Sequence, residues 1–156
     1  MKIQKSLRLS NNLSGLMNEL VNYQQAKLKD LLESGVLDKL SHQIEKNFKD
    51  LAPFLSYMTQ ASYSSVLRES YESALTIDKN KLKELIVEIP KLESKIENLY
   101  PPPAKNFTVQ FSLDKNTWDA LEDLCYTLKD DNCRNLRLSF VIKLLIIHYA
   151  LILNKI

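Results

Sequence analysis

The stretch NFTVQFSL, Asn106 to Leu113, decides how this chain is read. Phe107, Val109, Phe111 and Leu113 are apolar, and they alternate with the polar Asn106, Thr108, Gln110 and Ser112. Successive side chains of a strand point to opposite faces, so this period of two predicts a strand with one buried face and one face offered to something polar. The β-branched and aromatic content agrees. Asp114 follows as a helix-start signal, and Thr117, Ala120, Leu121, Leu124, Cys125 and Leu128 recur at three- and four-residue steps, which predicts one amphipathic helix. Its outer face carries Asp119, Glu122 and Asp123, which a phosphate backbone would repel. The polar DDNCRN, residues 130–135, ends that helix.

A second helix is expected from Leu138 to Leu153, sixteen residues that are apolar apart from Ser139, Lys143 and His148. A membrane span needs about 20 apolar residues. With Lys143 and His148 inside it, the segment reads instead as a helix buried nearly all round in a small core.

The N-terminal end repeats this order. In KIQKSLRL, Lys2 to Leu9, the residues Ile3, Leu7 and Leu9 share one face and Gln4, Ser6 and Arg8 the other, with Lys5 interrupting the apolar side. Asn11 or Asn12 can cap a helix whose stripe is Leu13, Leu16, Met17, Leu20 and Val21. Superposing Leu9 on Leu113 brings Leu13 onto Thr117, Met17 onto Leu121 and Leu20 onto Leu124. The counterpart of the last helix is SYSSVLRESYESAL, Ser62 to Leu75. The first copy is longer because it holds an insertion of helical character, residues 24–58, with heptad-like apolar positions at Leu28, Leu31, Leu32, Val36, Leu37, Leu40 and Ile44 around Ser34-Gly35. The expected organisation is a first copy over 1–77, a linker over 78–104 and a second copy over 105–156. The linker is a charged amphipathic helix, kinked by Pro90, that ends at the stiff Tyr100-Pro101-Pro102-Pro103 spacer.

Composition limits what the chain can be. Two glycines and five prolines in 156 residues leave little room for turns, and 45% hydrophobic against 26% charged residues describes a foldable chain, so most of it must be helix. A net charge of +2 excludes a protein that coats nucleic acid through bulk basicity; any such binding depends on where the charges sit. Two cysteines, Cys125 and Cys133, are too few for a disulfide framework and lack metal-site spacing. Cys125 falls on its helix's buried stripe. MKIQKSLRLSNN lacks the apolar core of an export signal, so a reducing cytoplasm is expected, that of a host cell if the source is viral. There is no GxGxxG, phosphate loop or HExxH, and the histidines are only His42 and His148; neither an enzyme, a cofactor nor a metal is expected.

The strand-helix-helix order, with RLSNNLSGLMNEL and SYSSVLRESYESAL in one copy and FSLDKNTWDALEDL and LRLSFVIKLL in the other, resembles the ribbon-helix-helix (MetJ/Arc-like) DNA-binding family over residues 2–21, 62–75 and 106–153. Tandem copies of this kind resemble regulators of archaeal viruses and plasmids. The resemblance implies a mainly α protein, a tandem ribbon-helix-helix in which two strands pair as an antiparallel ribbon that enters the major groove of double-stranded DNA. The implied role is a sequence-specific transcription regulator, a repressor. The pleat would present Gln4, Ser6 and Arg8 from one strand and Thr108, Gln110 and Ser112 from the other; glutamine suits adenine, arginine guanine, and serine or threonine either. Ser62, Ser64, Arg137 and Ser139, at the starts of the second helices, and Lys2, Lys5 and Lys105, beside the ribbon, are the candidate phosphate contacts. Arg137 stands where the family has serine. The ribbon could form within one chain as a pseudo-dimer or between two chains of a homodimer, the heptad-like insertion then serving as a dimerising helix. The alternative function is a protein-binding adaptor, of antitoxin or partition type, that grips a partner through that insertion.

Overall fold

Strands β1 (Lys2–Leu9) and β2 (Phe107–Asp114) pair with each other in the computed structural model, antiparallel, as a two-stranded ribbon. The structure describes residues 1–35, 39, 42, 43, 60–102, 106–129 and 134–156. Five helices accompany the ribbon among them: α1 (Leu13–Glu33), α2 (Tyr63–Ala74), α3 (Lys79–Leu99), α4 (Lys115–Thr127) and α5 (Leu138–Ile152). The described residues are mainly helical with a two-stranded antiparallel sheet.

The alternation of β2 becomes a floor. Phe107, Val109, Phe111 and Leu113 are all buried, joined by Leu9 and the half-buried Ile3 and Leu7 of β1. Lys5, which breaks the apolar face of β1, is accommodated by α4. Its ammonium bonds the Glu122 carboxylate and lies 4.9 Å from the centre of the Trp118 ring, so its stem covers apolar surface while its charge stays paired.

Helix α5 is the centre of the molecule. Val141, Ile142, Leu144, Leu145, Ile146, Ile147, Tyr149 and Ala150 are buried, so it is covered on nearly every side. It lies along α2 and meets α3, α4 and β1. Burying a large aliphatic side chain is worth about 1.5–3 kcal/mol, whereas an exposed ion pair is worth about 0–1 kcal/mol; the apolar sequence of α5 therefore outweighs the surface charges in holding the fold. Among the described residues no helix is long and apolar enough to cross a membrane.

Helix α3, the expected linker, belongs to the core. Leu82, Leu85, Ile89, Leu92 and Ile96 form its buried stripe, and it packs on α1 and α5. The helix continues through Pro90, which sits on its exposed side. Its end is fixed by Tyr100, whose hydroxyl donates to the Lys155 carbonyl at 2.8 Å and whose backbone crosses Gly15 of α1. A Cβ on Gly15 would lie 2.6 Å from the Tyr100 carbonyl oxygen, so only glycine fits this approach.

Three expectations need correction. Helix α1 does not stop before an insertion at residue 24; it runs on to Glu33, leaving Leu28 half-buried and Leu31 and Leu32 exposed, and Gly35 then turns with φ +74°. Val36, Leu37, Leu40 and Ile44 lie outside the described residues. Asn12, at the N-cap position of α1, makes no side-chain cap hydrogen bond. Asn12 is already helical, and the start is closed by N–H groups of Leu13 and Ser14 donating to the Ser10 and Asn11 carbonyls, with the Ser14 hydroxyl also on Asn11. The stripe of α4 is centred on Trp118, Leu121 and Cys125, with Thr117, Ala120 and Leu124 not fully buried. Its N-cap is Asp114 as expected, the carboxylate accepting from the Thr117 N–H at 2.9 Å and hydroxyl at 2.8 Å.

Candidate nucleic-acid interface

The outer face of the ribbon is built by the pleat alone. Lys2, Gln4, Ser6 and Arg8 of β1 and Thr108 and Gln110 of β2 are exposed, Ser112 is half-buried, and Asn106 is exposed just before β2. In the register Gln4 faces Ser112, Ser6 faces Gln110 and Arg8 faces Thr108, so the six side chains expected to read bases lie on one surface in three cross-strand pairs.

The register has a property that the pairing alone does not require. Superposing Leu9 on Leu113 makes Ser6 the counterpart of Gln110, Gln4 the counterpart of Thr108 and Arg8 the counterpart of Ser112. Ser6 and Gln110 are themselves partners, while Gln4 pairs with the counterpart of Arg8 and Arg8 with the counterpart of Gln4. The pairing therefore carries each strand onto the other about the Ser6–Gln110 pair.

Two hydrogen bonds cross the outer face. The Gln110 amide nitrogen donates to the Gln4 side-chain oxygen at 3.0 Å, a diagonal contact, and the Arg8 guanidinium donates to the Asn106 side-chain oxygen at 2.8 Å. An amide nitrogen has two hydrogens and a guanidinium five, so each bond orients its donor and leaves it able to donate again.

The starts of α2 and α5 flank the ribbon. At α2, Ser62 and Ser65 form a reciprocal capping box: the Ser62 hydroxyl accepts from the Ser65 N–H at 3.2 Å, and the Ser62 N–H donates to the Ser65 hydroxyl at 2.8 Å. The N–H groups of Tyr63 and Ser64 remain at the helix start. The Ser64 hydroxyl oxygen accepts the Ser112 N–H at 2.8 Å, which seats α2 on the outer edge of β2. At α5 the N-cap residue Arg137 is exposed and makes no side-chain cap hydrogen bond, and Ser139 is half-buried. A cavity of roughly 210 Å3 lies between this helix start and the strand, lined by Arg8, Ser10, Arg137, Ser139, Phe140 and Lys143. Lys143 there pairs with Glu93 of α3 at 2.8 Å, and Ser10 donates to the same carboxylate at 3.3 Å. Arg8 and Arg137 carry the charge that faces solvent.

Not every expected contact belongs to this surface. Lys5 lies on the inner face with its ammonium on Glu122, which removes it from any phosphate path along the outer face. Lys105 lies outside the described residues. Asn106, a polar residue of the alternating stretch, holds Arg8, and no local signal in the sequence reveals that link because it spans 98 residues.

The titratable groups that depart from ordinary behaviour are structural. The Thr117 N–H and hydroxyl hold the Asp114 carboxyl below its usual range, with Arg68 adding a favourable charge. Burial pushes the Cys125 thiol up and the His148 imidazole down. Among the described residues no group of His, Cys, Asp and Glu could hold a metal ion. No family model, curated protein or solved structure matches the chain.

Proposed function

We propose that the chain is a tandem ribbon-helix-helix protein whose single intrachain ribbon enters the major groove of double-stranded DNA, and that it acts as a sequence-specific transcription regulator, a repressor. The observation that carries this reading is the register: the pairing carries the first strand onto the second about Ser6–Gln110, as a two-fold pair of equivalent strands would require. The crossed packing adds support, since α2 of the first half is seated on β2 through Ser64 while the start of α5 stands beside Arg8 of β1.

A two-stranded ribbon fits the major groove, and alternate side chains then meet base edges. The exposed set is chemically adequate for reading bases, since Gln110 offers an amide to adenine, Arg8 a guanidinium to guanine, and Ser6 and Thr108 hydroxyls to either. The helix starts at Tyr63-Ser64 and Arg137-Ser139, with Lys2, meet the phosphates on each side and set the position of the ribbon.

The test is binding to a duplex recovered from a random pool, measured by fluorescence anisotropy. Arg8→Ala and Gln110→Ala each weaken the specific complex by about 1–3 kcal/mol, while binding to unrelated DNA falls little for Gln110→Ala, which carries no charge. Unchanged affinity for the selected duplex in both variants removes the ribbon from DNA reading.

A further inference from the structure

The two ends of the ribbon are chemically different, and resting on the DNA-binding reading above, we infer that the chain recognises a non-palindromic site in one fixed orientation, with Arg8 held by Asn106 reading a guanine at one end and Gln110 held by Gln4 reading an adenine toward the other. Gln4 and Asn106 are positioning residues for the two readers.

The asymmetry follows from which counterparts were kept. The counterpart of Arg8 is Ser112, that of Asn106 is Lys2, and that of the Gln4–Gln110 pair is Thr108 with Ser6. Serine and threonine are too short to make the bond that the two glutamines make across the strands. Each reader is thus present once. Arg8 lies near the end that pairs Leu9 with Phe107, while Gln110 starts at the centre, opposite Ser6, and leans toward Gln4, near the end that pairs Lys2 with Asp114. The Arg8 end also carries Arg137, whereas the helix start by the other end presents Ser62 and Ser64.

The bond to Gln4 uses one hydrogen of the Gln110 amide. The second hydrogen and the Gln110 carbonyl remain, which is the donor and acceptor pair that matches adenine N7 and N6–H. Without Gln4 the side chain can rotate, and the ordering of a long side chain must then be met on binding, at a cost that holds for the adenine contact alone. At about 3.4 Å per strand residue and a similar rise per base pair, the two read bases lie about two to four base pairs apart.

The experiment is selection from random duplex DNA with the wild type and with Gln4→Ala, Gln110→Ala, Arg8→Ala and Gln4→Ala/Gln110→Ala, all at exposed positions where thermal melts verify folding. The wild type is expected to recover a non-palindromic consensus. Arg8→Ala relaxes the guanine alone, Gln110→Ala relaxes one adenine, and Gln4→Ala relaxes that same adenine about 3- to 10-fold, with the double variant no worse than Gln110→Ala. A position-specific preference is a readout that a loss of stability would not move. A palindromic consensus, or a Gln4→Ala variant that relaxes a base of its own, overturns this inference and leaves DNA binding standing; no enrichment by the folded wild type overturns both.

Discussion

Trp118 joins parts of the chain that are far apart in sequence. It is 1% exposed, its indole N–H donates to the Ile3 carbonyl at 2.9 Å, and its ring lies under the Lys5 ammonium. Trp118→Phe keeps most of the packing and leaves the Ile3 carbonyl without that donor, so the variant loses about 1–3 kcal/mol. Urea unfolding followed by far-UV circular dichroism measures this, since the only tryptophan fluorophore is gone; an unchanged midpoint contradicts the role given to the indole. His148 supplies a pH signature. Its buried Nδ1 has no hydrogen-bond partner among the described residues, and burial holds the imidazole below its ordinary pKa. The unfolded chain therefore takes up the proton first, so stability is complete above about pH 6.5 and declines as pH falls toward the lower folded value. The decline between about pH 7 and pH 5 shrinks in His148→Leu, measured by the same unfolding curves.

At the scale of elements, Gly15 decides where α3 can end. In an exposed helix Gly→Ala is favourable by about 1 kcal/mol. Here the added Cβ meets the backbone of Tyr100, which cannot rotate away as a side-chain tip could. Gly15→Ala is therefore destabilising, by about 1–3 kcal/mol, and a lower thermal midpoint is the result to expect. Such a contact has no local signal. Strand β2 and helix α5 were legible because their patterns are local: a strict period of two, and a run too apolar to be anything but buried. The Asp114 cap was legible for the same reason. Lys5 read as a flaw in the apolar face because its partners, Glu122 and Trp118, are more than a hundred residues away. In the stripe of α4, Leu121, Cys125 and Leu128 are buried as expected, but the bulky Trp118 takes the central buried position beside the small, half-buried Thr117 and Ala120. Helical character was expected through Leu32, but not one unbroken helix from Leu13 to Glu33, because the duplicated pattern places a boundary near residue 24.

For the whole molecule, one chain supplies both strands, and α3 is packed between the halves instead of spacing them apart. The candidate interface follows from that arrangement: Gln4, Ser6, Arg8, Thr108 and Gln110 were visible as the polar half of two alternating strands, but their three cross-strand pairings and the bonds that orient Gln110 and Arg8 exist only once the strands meet. A net charge of +2 cannot hold DNA by bulk attraction, so the proposed binding rests on this face. The most direct test is an NMR titration of the isotope-labelled chain with one equivalent of a duplex selected from random DNA. On the DNA-binding reading, amide signals shift at Gln4, Ser6, Arg8, Thr108 and Gln110 and at the starts of α2 and α5, while those of Lys91 and Lys95 on the outer side of α3 stay in place. Shifts confined to α3 or to the end of α1, with the ribbon unmoved, would contradict it.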